Sequence, residues 1–295
     1  MAQAFKTLPL LQNITIKIHG YSCEIISIQN KRDLCLNGLT FRQKVDIDFW
    51  QENAEVEFNG LRELFSNLMT SFQKLNLPVK YFYKTQDPDL KNLCLDLRAF
   101  NRLQRIDLTL LESCEIADQA LKDMAQSFHG LVCLQVLVFT FGNCTKITDR
   151  GLEDLGQGFK GLCLLRNMQL YLLCCSQITD VGFESFSEGL ESMISLQSLS
   201  CYLNGKPQIG DSGIMKSAQN LKKMLSLQSV SIGFVEGSRV TKVGQDKFIG
   251  ALKSHLSLKR VDVDFGHGVQ RIEMRDDEVC MLVSVLFFLN SVSSY

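Results

Sequence analysis

Apolar residues alternate with polar ones in a short segment that recurs along the chain. In the segment that begins at Leu103, the apolar side chains are Ile106, Leu108 and Leu110. Alternation with a period of two is typical of a strand that buries one face. Equivalent segments follow one another in steps of 30 or 31 residues, beginning at Leu11, Arg42, Phe72, Leu103, Leu134, Leu165, Leu196, Leu227 and Leu258. The pattern therefore predicts nine evenly spaced strands, the third irregular near Pro78, because proline lacks the N–H that a strand ladder needs.

Between the strands the apolar spacing changes to three and four, as at Leu152, Leu155, Phe159 and Leu162. This spacing predicts a helix with one buried stripe. One strand and one helix per unit predict an α/β solenoid of about nine units, with a parallel sheet on the concave face and helices on the convex face. We expect one domain over residues 1–295, with less regular units in 1–102, regular units in 103–275 and a C-terminal capping helix in 276–295.

A second motif precedes the predicted helices. Gly210-Asp211-Ser212-Gly213 spells the nucleophile motif of chymotrypsin-type serine proteases, but it is one copy of a repeated I/V-T/A/G-D/K-x-G element. Ser212 occupies the variable position, so a hydrolase is only a remote alternative. In the copy with Thr148 and Asp149, either residue is able to cap the helix, and the aspartate suits the positive end of the helix dipole.

The strand pattern L-x-x-L-x-L-x-L and the I-T-D-x-G-L motif resemble the leucine-rich repeat superfamily, especially its ribonuclease-inhibitor-like and cysteine-containing classes. Cys144 and Cys175 match the Asn or Cys that follows the strand in those classes. The resemblance implies a horseshoe fold that binds proteins through its concave sheet. The long units, with many Lys, Gln and Phe residues, are similar to those of protist and particularly ciliate families, which implies a ciliary or axonemal setting.

Composition narrows the functional classes. The formal net charge is −1 and the pI is about 6.4, so there is no basic excess of the kind that binds nucleic acid or anionic membranes. The longest apolar run, residues 279–289, is shorter than the roughly 20 residues that span a bilayer. Eleven scattered cysteines without a C-x-x-C pair, and an N-terminus without a signal peptide, predict an intracellular, cytoplasmic protein. No cofactor, small-molecule substrate or catalytic residue is predicted.

The predicted partner-binding residues lie on the concave face and beside its strands. They are Trp50, Lys74, Arg105, Asp107, Tyr171, Tyr202, Arg260, Asp262 and Asp264. Lys74 and Arg105 share one column, as do Pro78 and Thr109. Tyr171 and Tyr202 occupy the same slot on adjacent strands, and exposed aromatic residues are favoured anchors of interfaces. In the alternative interpretation, the tyrosines only cover their neighbours and Trp50 packs in the core.

Other side chains receive ordinary structural interpretations. Asp262, Asp264 and His267 suggest a metal site, but a solvated acidic rim is the preferred interpretation and no metal is predicted. His255 falls on a buried helix stripe, where a hydrogen-bonded core histidine is expected. Cys133, Cys163 and Cys201 are expected in the core.

Taken together, these observations predict a non-enzymatic scaffold that binds one or more proteins, as a structural subunit of a large axonemal or organellar assembly. The alternative is a regulatory adaptor that resembles ubiquitin-ligase substrate receptors or enzyme inhibitors. Such receptors normally carry an N-terminal ligase-binding module, and the first repeat begins at Leu11, so the sequence disfavours this alternative.

Overall fold

The computed structural model describes most of the C-terminal two thirds of the chain and three strands before it. The described residues are 103–111, 116–205, 207–235, 239–266 and 269–273, together with residues 91, 94, 95 and 97. Of residues 1–90, the backbones of Asn13–Gly20, Lys44–Gln51 and Lys74–Tyr83 are described. The predicted capping helix in 276–295 and the helices of the first two units lie outside these residues, and the third unit's helix is represented only by residues 91, 94, 95 and 97.

Ten strands form one sheet in which the strand order follows the chain order. The strands are β1 Asn13–Gly20, β2 Lys44–Gln51, β3 Lys74–Tyr83, β4 Leu103–Leu111, β5 Val136–Gly142, β6 Asn167–Leu173, β7 Ser198–Asn204, β8 Ser229–Val235, β9 Arg260–Asp264 and β10 Val269–Glu273. Strands β1 to β9 are parallel to their neighbours and occupy the predicted positions.

Strand β10 corrects the prediction that regular units continue to residue 275. It runs antiparallel to β9, with Val269 opposite Asp264 and Glu273 opposite Arg260. Gly266 has a φ of 90°, a left-handed conformation that suits glycine, and it helps the chain to reverse after β9. Its N–H donates to Asp264 Oδ1 at 2.9 Å, which also holds this reversal.

Helices alternate with the strands, and the predicted α/β class is confirmed. Those described over their full length are α1 Asp118–Ser127, α2 Asp149–Gly158, α3 Asp180–Leu190, α4 Asp211–Leu221 and α5 Lys242–Lys253. Short 3-10 turns, Phe128–Gly130 and Phe159–Gly161, follow the first two helices. Each helix packs beside the next, so the strand and helix layers share one hydrophobic core.

The strand register keeps the 31-residue offset from β4 to β9, as in the series Val136, Asn167 and Ser198. Between β3 and β4 the register differs from the predicted columns. Asn76, and not Lys74, is opposite Arg105, and Pro78 is opposite Asp107. Register shifts lie on both sides of Pro78, which agrees with the expected irregularity of this strand.

The core is lined by aliphatic residues and phenylalanines, of which Phe128 and Phe159 are stacked with ring centroids 5.8 Å apart. Cys201 is buried as predicted, and burial raises the pKa of its thiol to about 12. Cys163 is exposed, which corrects its predicted core position. In its turn the core side chains are Leu162 and Leu165, and Cys163 between them faces solvent. Cys133 is half-buried.

The T-D-x-G element links neighbouring units. Thr148 is the N-cap of α2, since its hydroxyl accepts from the N–H of Arg150 at 3.3 Å. Asp149 holds the next unit: its carboxylate accepts from the Thr179 N–H at 2.7 Å and from the Thr179 hydroxyl at 2.6 Å. Because each unit repeats this arrangement, the aspartates form a ladder across the stack. The described steps join Asp118 to Thr148, Asp149 to Thr179, Asp180 to Gly210 and Asp211 to Thr241.

Candidate functional site

The face of the sheet opposite the helices presents side chains from every second strand position. We call the described part of it on β4 to β9 the open face. It consists of three columns set by the strand register: Arg105, Val136, Asn167, Ser198, Ser229 and Arg260; Asp107, Val138, Gln169, Ser200, Ser231 and Asp262; and Thr109, Thr140, Tyr171, Tyr202, Gly233 and Asp264.

Tyr171 and Tyr202 lie side by side on this face, as predicted. Their rings are stacked, with centroids 5.6 Å apart and planes 11° from parallel. The ring of Tyr202 leans over Gly233, where any Cβ would collide with it. Tyr202 is therefore only 7% exposed, which corrects the expectation that both tyrosines are exposed anchors. Tyr171 is half-buried and remains accessible.

Hydrogen bonds fix both phenols. The Tyr202 hydroxyl lies 2.5 Å from Ser231 Oγ, and the Tyr171 hydroxyl donates to Gln169 Oε1 at 3.4 Å. Burial raises the pKa of Tyr171 to about 12, and the neighbouring Tyr202 and Asp107 add to this effect. Burial also raises the pKa of Tyr202. Both tyrosines are consequently neutral at physiological pH and can donate hydrogen bonds.

Arginine–aspartate pairs flank the face at both ends. On β4, Arg105 Nη2 lies 3.2 Å from Asp107 Oδ2. On β9, Asp262 sits between two guanidinium groups, 2.6 Å from Arg260 Nη2 and 2.9 Å from Arg271 Nε. Asp107 and Asp262 are both buried, and the predicted solvated acidic rim is therefore wrong for Asp262. Arg271 could not be predicted as a partner of Asp262 from the repeat pattern, because its strand β10 belongs to no repeat.

Between these pairs the open face carries no charged side chain. The positions on β5 to β8 hold valine, threonine, asparagine, glutamine, serine, tyrosine and glycine. They are, in chain order, Val136, Val138, Thr140, Asn167, Gln169, Tyr171, Ser198, Ser200, Tyr202, Ser229, Ser231 and Gly233. We call this set the neutral patch.

The remaining predicted site residues are placed as follows. Asp264 is half-buried at the end of the third column. Trp50 lies in β2 and Lys74 in β3, but their side chains lie outside the described residues, as does His267. In the described part of the chain, no group of three or more His, Cys, Asp or Glu residues is placed to hold a metal ion. The helices described above include none that is both long and apolar enough to cross a membrane.

The structure also places Ser212, from the protease-like motif, and His255, from the helix stripe. Ser212 is exposed in the first turn of α4. His255 is buried, as predicted, with Nε2 3.1 Å from the Leu221 carbonyl oxygen and Nδ1 accepting from the Ser257 N–H at 3.2 Å. These partners require a neutral ring with its proton on Nε2. Both ring nitrogens are therefore engaged in hydrogen bonds within the protein.

The stability of the protein is expected to depend on pH through His255. Burial lowers its pKa below the ordinary value of 6.5, and the nearby positive charge of Lys222 adds to this effect. A histidine with a lowered folded pKa contributes stability that is present above pH 6.5 and is lost as the pH falls from there through the folded pKa. Thermal melting between pH 7.5 and 5 should show this loss, reduced in His255→Met, the residue found at the equivalent positions Met193 and Met224. An unchanged pH dependence in His255→Met would contradict this, and His129→Gln, at an exposed site, is the control.

No family model matches the chain, and no curated protein matches it. Among solved structures, the chain is similar to one in the crystal structure of the Rad7 and Elc1 complex in yeast, with 15% sequence identity and a TM-score of 0.48. The match covers 89% of this chain and 65% of that chain, so this chain spans about two thirds of its length.

Proposed function

We propose that this chain is a non-enzymatic leucine-rich repeat protein, with a horseshoe of about nine units, that binds another protein through the open face. The neutral patch carries the proposal. The central parts of protein interfaces are depleted of charge and enriched in tyrosine, and tyrosine with serine, glycine and asparagine dominates antibody paratopes. Tyr171, Ser200 and Asn167 bring this chemistry to one surface of adjacent strands.

Two further observations support a binding role. The stacked tyrosines are already held by hydrogen bonds to Gln169 and Ser231, so little side-chain entropy would be lost on binding. Nine parallel strands spaced by about 4.8 Å give a sheet roughly 40 Å long, which has room for the roughly 800 Å² that a standard interface buries on each partner. The neutral patch on β5 to β8 is flanked by ion pairs on β4 and β9, as an interface core is by a polar rim.

We further propose that the protein is a structural subunit of an intracellular assembly, in the ciliary or organellar setting that the repeat resemblance implies. Buried thiols such as Cys201 suit a reducing compartment. We propose no catalytic role for Ser212, because the repeated element explains it and His255 is occupied elsewhere. A regulatory adaptor remains the alternative, in which the same face receives exchangeable partners.

A matched pair of substitutions tests the role of the open face. Ser200→Glu places an unpaired charge in the neutral patch, whereas Ser212→Glu places the same charge on the exposed start of α4. Tagged protein should capture a fixed set of proteins from its native source, and Ser200→Glu should lower their recovery by about tenfold or more, because an unpaired charge is costly in an apolar interface. Ser212→Glu should leave recovery unchanged. Asn167→Glu, at an exposed position of the same patch, repeats the test without a burial cost.

The salt dependence of capture separates the two versions of the proposal. Partners held by a neutral interface should remain bound as the salt concentration rises, which supports a structural subunit. Loss of the partners at high salt supports a charge-steered adaptor. Equal recovery with Ser200→Glu and wild type, at equal melting temperatures, would contradict binding through the open face.

A further inference from the structure

A second surface of the molecule, away from the open face, carries a line of exposed apolar side chains. Leu256, Leu225 and Ile194 are 74%, 68% and 72% exposed, and Val132 and Leu164 are about half exposed. Four of these positions and the exposed Cys163 share the 31-residue period, and Leu164 is next to Cys163. We call this set the edge stripe: Val132, Cys163, Leu164, Ile194, Leu225 and Leu256.

The edge stripe lies on the turns that lead from each helix into the next strand. The residue before each periodic position is buried, as with Met224 before Leu225 and Met193 before Ile194. The core therefore does not need the stripe residues. Single exposed apolar residues are ordinary on protein surfaces, but a contiguous line of them marks an interaction site.

The topology of β10 brings the chain to this same edge. Because β10 is antiparallel to β9, it returns from the end of β9 to its start, and Glu273 lies opposite Arg260. Arg260 follows Leu256 by four residues and begins its strand directly after the last turn of the stripe. Glu273, the last residue of β10, therefore lies at the edge of the sheet where the turn with Leu256 enters β9.

The segment that follows β10 in the sequence has the chemistry and length that would match the stripe. Residues 279–289 read VCMLVSVLFFL and contain no charge. Eleven residues in a helix span about 16 Å, and the three strand spacings from Leu256 back to Cys163 amount to about 14 Å. The intervening Asp276, Asp277 and Glu278 would pass the exposed Lys253 and Lys259 at this edge, so the charges are also complementary.

We propose that residues 279–289 bind the edge stripe of their own chain, as an intramolecular apolar strap over the helix-to-strand turns. The assignment depends on the stripe, the direction of β10 and the chemistry of the segment, and it is independent of the open face. It replaces the sequence-based expectation that the segment shields the last unit of the core.

Photo-cross-linking in the full-length chain tests the strap. A benzophenone amino acid at Leu225 should form a cross-link to the tryptic peptide 276–295 within the monomer. The same amino acid at Val181, which is 66% exposed on the opposite edge, is the matched control and should not. Cross-linking of that peptide in a dimer band would show that a second copy supplies the segment, and cross-linking only to other proteins would show a foreign partner. Either result, or no cross-link at Leu225, overturns the proposal.

Limited proteolysis provides a second measurement without a bulky probe. The double substitution Leu225→Asp and Leu256→Asp should release the segment and increase the rate of tryptic cleavage after Arg275 by about tenfold. Val181→Asp with Val243→Asp, two exposed residues at the opposite edge, should leave the rate unchanged. Equal rates in the two double variants would overturn the proposal, and since all four side chains are exposed, unfolding should not confuse the result.

Discussion

Replacing Asp149 by alanine is expected to destabilise the protein by about 2 to 3 kcal/mol, because two charge-assisted hydrogen bonds to the next unit are lost. The N–H and hydroxyl of Thr179 donate to this carboxylate at 2.7 and 2.6 Å. Without it, a partly buried backbone N–H at the junction between units is left without its partner, and a lost partner costs more than an intact bond contributes. Chemical denaturation followed by circular dichroism measures the change.

Another aspartate of the ladder, Asp180, makes a weaker version of the same link between units. Asp180 is equivalent to Asp149, but the residue it binds in the next unit is Gly210, which donates only its N–H, at 2.7 Å. Asp180→Ala should therefore cost less than Asp149→Ala. Glu153→Ala removes an exposed carboxylate from the same helix as Asp149 and should change the free energy of unfolding little. If Asp149→Ala and Glu153→Ala have equal effects, the ladder does not stabilise the stack.

The ladder also shows how far the sequence could predict the fold. Strand positions and helix starts follow from alternation and spacing within one unit, and these local patterns were sufficient for β1 to β9 and for α1 to α5. The role of Asp149 was predicted only within its own helix, because its partner Thr179 lies 30 residues ahead. The recurrence of Thr, Asp and Gly as a set was the available signal that these residues act between units.

The sequence predicted which strand column each candidate-site residue occupies, but it did not predict how deeply each one is buried. The tyrosine slot was correct, yet Tyr202 is covered because the equivalent position on the next strand is Gly233, and the ring leans into that space. Asp262 was expected in solvent because its partner Arg271 comes from β10. β10 is only five residues long and belongs to no repeat, so period-based reasoning could not find it. Burial depends on neighbouring units in a way that one unit's pattern does not specify.

The repeated geometry of the ladder leads to a second large effect, at the glycine of the same element. Gly182 packs against the preceding unit, and a Cβ built there would lie 2.6 Å from the Cα and 2.9 Å from the Cβ of Asp149. Backbone atoms cannot move aside as the end of a flexible side chain can. Gly182→Ala should therefore push α3 away from α2 and destabilise the protein by about 2 to 3 kcal/mol, the upper part of the range for overpacking a well-packed site.

The same substitution at Gly250 is the matched control and should have the opposite sign. Gly250 lies in α5, is exposed, and a Cβ built there meets no atom within 4 Å. Because alanine is favoured over glycine inside a helix, Gly250→Ala should stabilise the protein by about 0.5 to 1 kcal/mol. Denaturant midpoints of the two variants measure both effects. If both substitutions destabilise the protein, the contact with Asp149 does not explain the effect of Gly182→Ala. Opposite signs would show that the glycine of the T-D-x-G element is required because the aspartate of the preceding unit fills the space beside it.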